Sequence, residues 1–462
     1  MALAELSSLP VPDCRRPAAP VPPPRRLSLP RAFRAARDNP LTLFAQPAYE
    51  LPLIRVRHMV LVSEPAAIER VLIENAGNYI KSRLQQRRIQ PALGDGLLTA
   101  EGELWRAERR TAAPLFSPRA IAELQGDMAK AAEETAARWQ REQPEGGVLD
   151  LAQEFQRLTY EIVSKSVFSG ALDADRAQVH AMMARYFDTI GRVDLASFFD
   201  LPMWLPTLAK LNAGPALATM RKVIARVVGE RVERPARRGS EADLLDRLIA
   251  ARDPQTGRAL MPSVVADNVL TFLAAGHETT ANALSWASYL IAAFPWAEDR
   301  LLAEFAAASG SRLASAADLE RLPFARAFVE ETLRLYPPAA FMSRQAVGED
   351  RLCGEKIAPG TQVLISPWIV HRHRALWPEP DLFSPERFLP EQRQAIPRGA
   401  YLPFGLGPRI CIGMGFAMQE ILTVLSVLVP RFRFALAGEP EPHSRITLSP
   451  RGGLRMRVVR RA

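Results

Sequence analysis

This 462-residue chain is short of cysteine, short of lysine among its cations, and without a long unbroken apolar run. Its three cysteines, Cys14, Cys353 and Cys411, lie far apart, with neither zinc-type spacing nor an even number for a disulfide framework. That excludes a disulfide-stapled scaffold and fits a reducing compartment. No stretch of about 20 apolar residues is present to span a bilayer, and the N-terminus lacks the compact apolar core of a signal peptide. A cytoplasmic protein without a membrane anchor is expected. The formal charge of +9 is carried almost wholly by arginine and is diluted by interspersed Asp and Glu. Its densest basic stretch, Arg221 to Arg238, alternates with Val, Ile and Glu at helical spacing, which marks a solvated helix face. No nucleic-acid binding is expected; a basic face for an acidic protein partner is.

What is present reads as one globular unit. Apolar residues make up 48% and charged residues 24%, which excludes a disordered or fibrous chain, and no polar low-complexity linker divides it. Residues 1–40 hold Pro10, Pro12, Pro17, Pro20 and Pro22 to Pro24 among arginines, so a loose N-terminal arm is expected; Glu5 and Asp13 count against a transit peptide. A single domain is expected over 41–462. Residues 53–62 carry strand-type residues, and Pro65 opens a helix to Ile73. Helical periodicity follows over 101–113, 118–142, 150–168, 173–190, 214–234, 241–252, 262–294 and 324–336. After Pro337-Pro338 come strand candidates at 340–347 and 361–366, an irregular proline-rich stretch, and a helix from about 412 to 429 stopped by Pro430. The fold class is mainly α with a minor β region.

Cys411 stands between Gly407 and Gly413, just before an apolar helix. A helix N-terminus offers partial positive charge and unpaired N–H groups that favour thiolate over thiol. Arg409 adds a fixed cation, Phe404 an aromatic wall, and the glycines leave room for a flat ligand to approach the backbone. A lone cysteine at a helix start is ordinarily a small buried apolar residue. The company of Phe, two Gly and Arg at these offsets points to a shielded thiolate that ligates a metal.

The run Phe404-x-x-Gly407-x-Arg409-x-Cys411-x-Gly413 resembles the heme-binding signature of the cytochrome P450 family. The resemblance implies heme b, with the Cys411 thiolate as axial iron ligand and its electron donation favouring O–O cleavage.

From Pro262 to Ala293 the chain is apolar nearly all round for about 32 residues, roughly 48 Å at 1.5 Å per residue. Asp267, Asn268, His277, Glu278 and Asn282 would be expensive in lipid, so a helix through a protein core is expected. Its centre, Ala275-Gly-His-Glu-Thr-Thr280, departs from helix preference. Thr279 can bond back to the carbonyl of Ala275, opening a small polar groove, with Glu278 beside it to relay protons. The segment is similar to the P450 family's Ala-Gly-x-Asp/Glu-Thr-Thr, which implies a position over the heme and roles for Glu278 and Thr279 in proton delivery.

Three further groups join the resemblance. Glu331 and Arg334, spaced i, i+3, and Arg387 resemble the family's Glu-Arg-Arg network, which implies a structural role around the cysteine loop; taken singly, a Glu-x-x-Arg is a surface pair of little worth. Trp105 and Arg109 stand one helical turn apart, suited to a carboxylate, and with Arg409 and Arg344 they are the implied partners of the heme propionates. His371-Arg-His373 has no third ligand cluster nearby, and a metal reading is rejected.

The resemblance implies a soluble monooxygenase that inserts one atom of O2 into a lipophilic small molecule such as a fatty acid or terpenoid. Pocket candidates are the 85–98 loop, the helices around 185–215, Phe272, Ala275, the Ala339 to Met342 segment and the turn near Leu448. Electrons are expected from NAD(P)H through a separate ferredoxin or flavodoxin and its reductase, docking on Arg106, Arg110, Arg393 and Arg398. A monomer is expected. A peroxide-dependent enzyme of the same fold, or a heme-based gas sensor without catalysis, has no need of the Glu278-Thr279 pair.

Overall fold

The apolar periodicity of the chain is realised as helices packed around one long member. A computed structural model describes residues 16–143, 146–169, 182, 208–233, 242–310 and 312–461. The helix expected over 173–190 lies outside them except for Met182, and so does Cys14. The helices that frame the centre are α1 (Leu29–Asp38), α2 (Gly102–Ala112), α3 (Gln125–Glu142), α4 (Leu151–Phe168), α5 (Leu208–Glu233), α6 (Pro262–Ala293), α7 (Pro323–Leu335) and α8 (Met414–Leu428). Helix α6 starts with Pro262 in its first turn, where the missing N–H costs nothing. It is flanked by α4, α5, α7 and α8, so it is wrapped by protein and has no face to give to lipid. Among the described residues no helix is long and apolar enough to cross a membrane.

The β pieces are small. Strands β1 (Leu53–Val56), β2 (Met59–Val62), β3 (Tyr79–Lys81), β5 (Met342–Ala346) and β8 (Gln362–Ile365) form one sheet in the order β1-β2-β8-β5-β3, parallel only between β2 and β8. β4 (Gly147–Asp150), β12 (Arg455–Arg460) and β9 (Phe432–Leu436) form a second sheet, while β6 (Asp350–Leu352) with β7 (Glu355–Ile357) and β10 (Pro442–Ser444) with β11 (Leu448–Pro450) are two-stranded ribbons. The mainly α architecture with a minor β region is as expected.

The expectation of a loose arm fails for residues 16–40. Leu29–Asp38 is helical, with a proline again placed in the first turn. Ahead of it the backbone of Ala18 is clamped: its N–H donates to Tyr289 Oη at 2.8 Å and its carbonyl accepts from Tyr336 Oη at 2.8 Å. The prolines do prevent a ladder, but an extended segment still offers single backbone groups, and two tyrosines from the core take them.

Candidate active site

The centre of α6 opens onto an internal cleft. Residues on either side of it are buried, yet Ala275 is exposed and Gly276, Glu278 and Thr279 are half-buried. Gly276 lets α4 come close, since a Cβ there would stand 3.1 Å from Val163 Cγ2. The helix stays continuous, so the expected opening of its ladder is not seen; the polar groups instead receive extra bonds. Thr279 Oγ1 donates to the Ala275 carbonyl at 2.6 Å, the back-bond the sequence predicts, and Thr159 Oγ1 donates to the His277 carbonyl at 2.8 Å.

Glu278 is held by a partner distant in sequence. Thr447 Oγ1 donates to Glu278 Oε1 at 2.6 Å, and Asn282 Nδ2 donates to Thr447 Oγ1 at 3.1 Å. The other oxygen, Oε2, is buried without a partner. Burial pushes the carboxyl above its usual range, with Thr447 opposing, so Glu278 holds a proton more tightly than a surface acid. Thr447 was missed by sequence reasoning because nothing local marks it. Glu420 of α8 was missed too: it is fully buried beneath Thr280, and burial raises its carboxyl well above the ordinary value.

Cys411 lies just ahead of helix α8, which packs against α6. Its turn is closed by the Cys411 N–H donating to the Phe404 carbonyl at 2.9 Å, which sets Phe404 and Cys411 at the two ends of one loop. Gly405 and Gly407 both take φ +76°, and a Cβ at Gly407 would overlap the Leu72 carbonyl, so glycine is required there. Helix α8 begins at Met414, with Gly413 as its cap. Cys411 keeps accessible surface although protein surrounds it. Trp105 of α2, Ala274 of α6, and Ile412 and Phe416 beside the cysteine belong to one apolar cluster. Burial raises the Cys411 thiol, against the Gly413 N–H and the Arg109 charge that lower it. Burial thus opposes the helix-start N–H and arginine contributions that the sequence makes visible.

Beside the loop lies a surplus of buried cations. Arg409 pairs with Glu101, donates to the Ala100 carbonyl at 3.1 Å and lies 4.2 Å above the Trp105 ring. Arg344, opposite Lys81 in the β3–β5 register, is pushed down to about 10 by burial and by Arg409. Lys81, also missed by sequence reasoning, is pushed down to about 7 by burial and by Arg409, its ammonium turned to the carbonyls of Leu97, Leu98 and Ala100. Arg109 is lowered by burial and has no carboxylate partner among the described residues. Three of these cations, Arg409, Arg344 and Lys81, share Glu101, Arg109 lies nearer Cys411, and all four are held below their ordinary range by burial, which makes a site built for further anions. With an accessible thiol and an apolar cleft, the residues present fit an iron porphyrin carrying two carboxylates.

The Glu331–Arg334 pair is fully buried. Arg334 Nε and Nη2 donate to Glu331 Oε2 and Oε1 at 2.6 and 2.9 Å, and its remaining protons go to the carbonyls of His371, Pro380 and Leu382. Arg387 joins only loosely: its Nε is 3.8 Å from Glu331 Oε1 and makes no hydrogen bond, while Nη2 donates to the Glu379 carbonyl at 3.0 Å. His371 and His373 are both engaged with backbone, and no cluster of three metal-ligating side chains occurs among the described residues.

The expected docking arginines are partly spent. Arg110 makes a bidentate pair with Asp253, at 2.8 and 2.9 Å, and does not present a free charge. Arg106, Arg393 and Arg398 stay more exposed, paired with Glu103, Glu330 and Glu69 respectively. In the pocket wall, Phe272 meets Phe116 edge-on at 5.3 Å, but Leu448 is wholly buried and its carbonyl accepts from Trp286 Nε1. The wall near that turn is given by Ile446 and Thr447 instead.

Comparison with known proteins agrees with this geometry. The chain is 32% identical over 404 residues to cyclooctatin synthase of Streptomyces melanosporofaciens, covering 85% of each chain. It is 30% identical over 400 residues to cyclooctat-9-en-7-ol 5-monooxygenase of the same organism, covering 86% of this chain and 85% of that one. It is 33% identical over 418 residues to the putative cytochrome P450 132 of Mycobacterium tuberculosis, covering 86% and 87%. Among solved structures, the heme domain of cytochrome P450DA superposes with a TM-score of 0.82 at 25% identity, covering 97% of this chain and 99% of that one. Residues 46–455 match the family model for Cytochrome P450, and the chain belongs to that family: it is a heme b-binding P450 monooxygenase.

Proposed function

We propose that Cys411 is the axial ligand of the heme iron and that the enzyme hydroxylates a lipophilic small molecule with electrons from a separate ferredoxin or flavodoxin and its reductase. The observations that carry this reading are an accessible thiol at Cys411 beside the Arg109 charge, and a bonded acid–hydroxyl pair on α6 whose neighbour Ala274 shares an apolar cluster with Ile412 and Phe416. When bound, the heme supplies O2 activation, with thiolate donation favouring O–O cleavage.

The chain's own residues do the rest. Arg109, Arg344 and Arg409, with Trp105 under Arg409, orient the cofactor by its carboxylates; Phe404 and Gly413 frame the sulfur. Thr447 donates to Glu278 Oε1, so the transferable proton sits on Oε2, which faces no competing acceptor. Thr279 spends its own hydrogen on the Ala275 carbonyl and so turns its lone pairs outward as an acceptor. Glu278 delivers and Thr279 directs. Glu331, Arg334 and Arg387 hold the framework. The single domain over 41–462 extends to residues 16–40, which pack onto it.

Phe272, Phe116 and Ile446 belong to one apolar cluster and Ala275 is exposed beside it on α6, which favours a lipophilic substrate. The cyclic alkenol in the name of one relative agrees with it. For the electron donor, the exposed Arg106, Arg393 and Arg398 favour an acidic protein. The test is product formation: ferric-spectrum shifts select ligands from a panel of cyclic terpenoids and fatty acids, and the best ligand is then turned over with NAD(P)H, ferredoxin and reductase. Hydroxylated product in proportion to electrons consumed is expected. Turnover with peroxide but not with the electron donors would overturn the reading.

A further inference from the structure

We propose that His371 is a positioning residue for the Cys411 loop, its ring joining the end of α7 to the segment that enters the loop. The inference rests on Cys411 being the iron ligand. His371 is completely buried at the end of the short helix Pro367–Val370. One ring nitrogen, Nδ1, is 3.0 Å from the Arg334 carbonyl, and the other, Nε2, is 2.8 Å from the Leu402 backbone nitrogen. A carbonyl only accepts and an amide N–H only donates, so the bonds fix one tautomer: Nδ1–H donates and Nε2 accepts. The arrangement is closed on itself, because Arg334 Nη1 donates back to the His371 carbonyl at 2.8 Å.

The consequence reaches the cysteine. Leu402 lies two residues before Phe404, whose carbonyl accepts from the Cys411 N–H. Just before Leu402, Tyr401 stacks on the His371 ring at 5.4 Å and donates its hydroxyl to the Glu330 carbonyl at 2.9 Å. The entrance of the loop is thus tied to α7 by Leu402 through the imidazole and by Tyr401 directly. Arg334 and Arg372 flank the ring, and together with burial they hold His371 down to about 3, so the neutral bridge persists at any working pH. A buried backbone N–H without a partner is costly, so Leu402 has reason to keep this bond and no other acceptor is given to it.

Three variants of the holoenzyme separate positioning from general packing. His371→Gln places an amide oxygen near the Nε2 position and can still accept from Leu402; His371→Asn reaches only the Nδ1 position; His371→Leu does neither. Two readouts are used: amide-exchange protection of residues 402–411, which needs no turnover, and the fraction of the ferrous–CO spectrum in the thiolate form. We expect Gln to stay within about threefold of the parent in both. Asn is expected to lose Leu402 protection by at least tenfold and to convert to the thiol-type spectrum at least tenfold faster on mild warming. If Leu does not fold, the Gln–Asn contrast decides. Equal behaviour of Gln and Asn, whether both retained or both lost, would overturn the proposal. A Cys411→Ser protein that kept the thiolate spectrum would instead defeat the ligand reading, leaving the exchange result to stand alone.

Discussion

Replacing Glu331 by Gln should be among the most damaging single substitutions this chain can suffer outside the cleft. The carboxylate accepts Arg334 Nε at 2.6 Å, Arg334 Nη2 at 2.9 Å and the Ser384 N–H at 2.7 Å, and both partners of the ion pair are fully buried. Glutamine keeps the shape but has one acceptor oxygen where three donors converge, and it leaves the Arg334 charge uncompensated in the interior. Breaking a buried pair by removing one partner costs about 3–5 kcal/mol. That is a large part of the roughly 5–15 kcal/mol by which a folded domain is stable. Arg387→Met is the internal control: its Nε is 3.8 Å from Glu331 with no hydrogen bond, so about 1 kcal/mol is expected, in the range of a weak ion pair. Denaturant unfolding of both proteins, followed by Soret and tryptophan signals, measures the difference. A Glu331→Gln loss below about 1 kcal/mol, or one no larger than that of Arg387→Met, would refute the argument that the buried charge dominates.

Other consequences concern protons. Thr279→Ala should leave the CO spectrum intact while product per electron falls, read by comparing NAD(P)H consumed with product formed. Glu278→Gln removes the transferable proton on Oε2 and should lower product formation by about 100-fold or more, the range for a lost general acid; in the parent, coupling should decline as pH rises through the raised Glu278 value. Glu108 is fully buried and pushed up to about 8, mainly by burial, with Oε1 unpartnered. The fold prefers its protonated form, so its contribution is present at low pH and is lost as pH rises from the ordinary carboxyl value to about 8. Glu108→Gln should therefore raise the melting temperature at pH 8.5 more than at pH 5, and an equal change at both would count against the burial argument.

Several features were legible because they are local. The Thr279 back-bond to Ala275 follows from i, i+4 geometry, and the Glu331–Arg334 pair from i, i+3 spacing. The need for glycine at 407 is written in the loop's shape, though its cause, the Leu72 carbonyl, is more than 300 residues away. What was not legible is long-range. Thr447 reaches Glu278 across 169 residues, and Lys81 joins Arg344 only through the β3–β5 register. The arm was misjudged because proline content argues against ladders but says nothing about two tyrosine hydroxyls in the core. Arg110 read as a surface charge because its partner, Asp253, is 143 residues distant. At the cysteine loop the sequence shows the helix start and the fixed cation but not the burial of the sulfur, which works the other way.

The central claim is that Cys411 binds the iron, and the ferrous–CO spectrum of Cys411→Ser tests it most directly. The parent should show the thiolate-type band. The variant should lose that band completely while retaining the parent's helical circular dichroism, because the loop is held by the Cys411 N–H to Phe404 bond and not by the sulfur. A Cys411→Ser protein that binds heme and still gives the thiolate-type band would contradict the account.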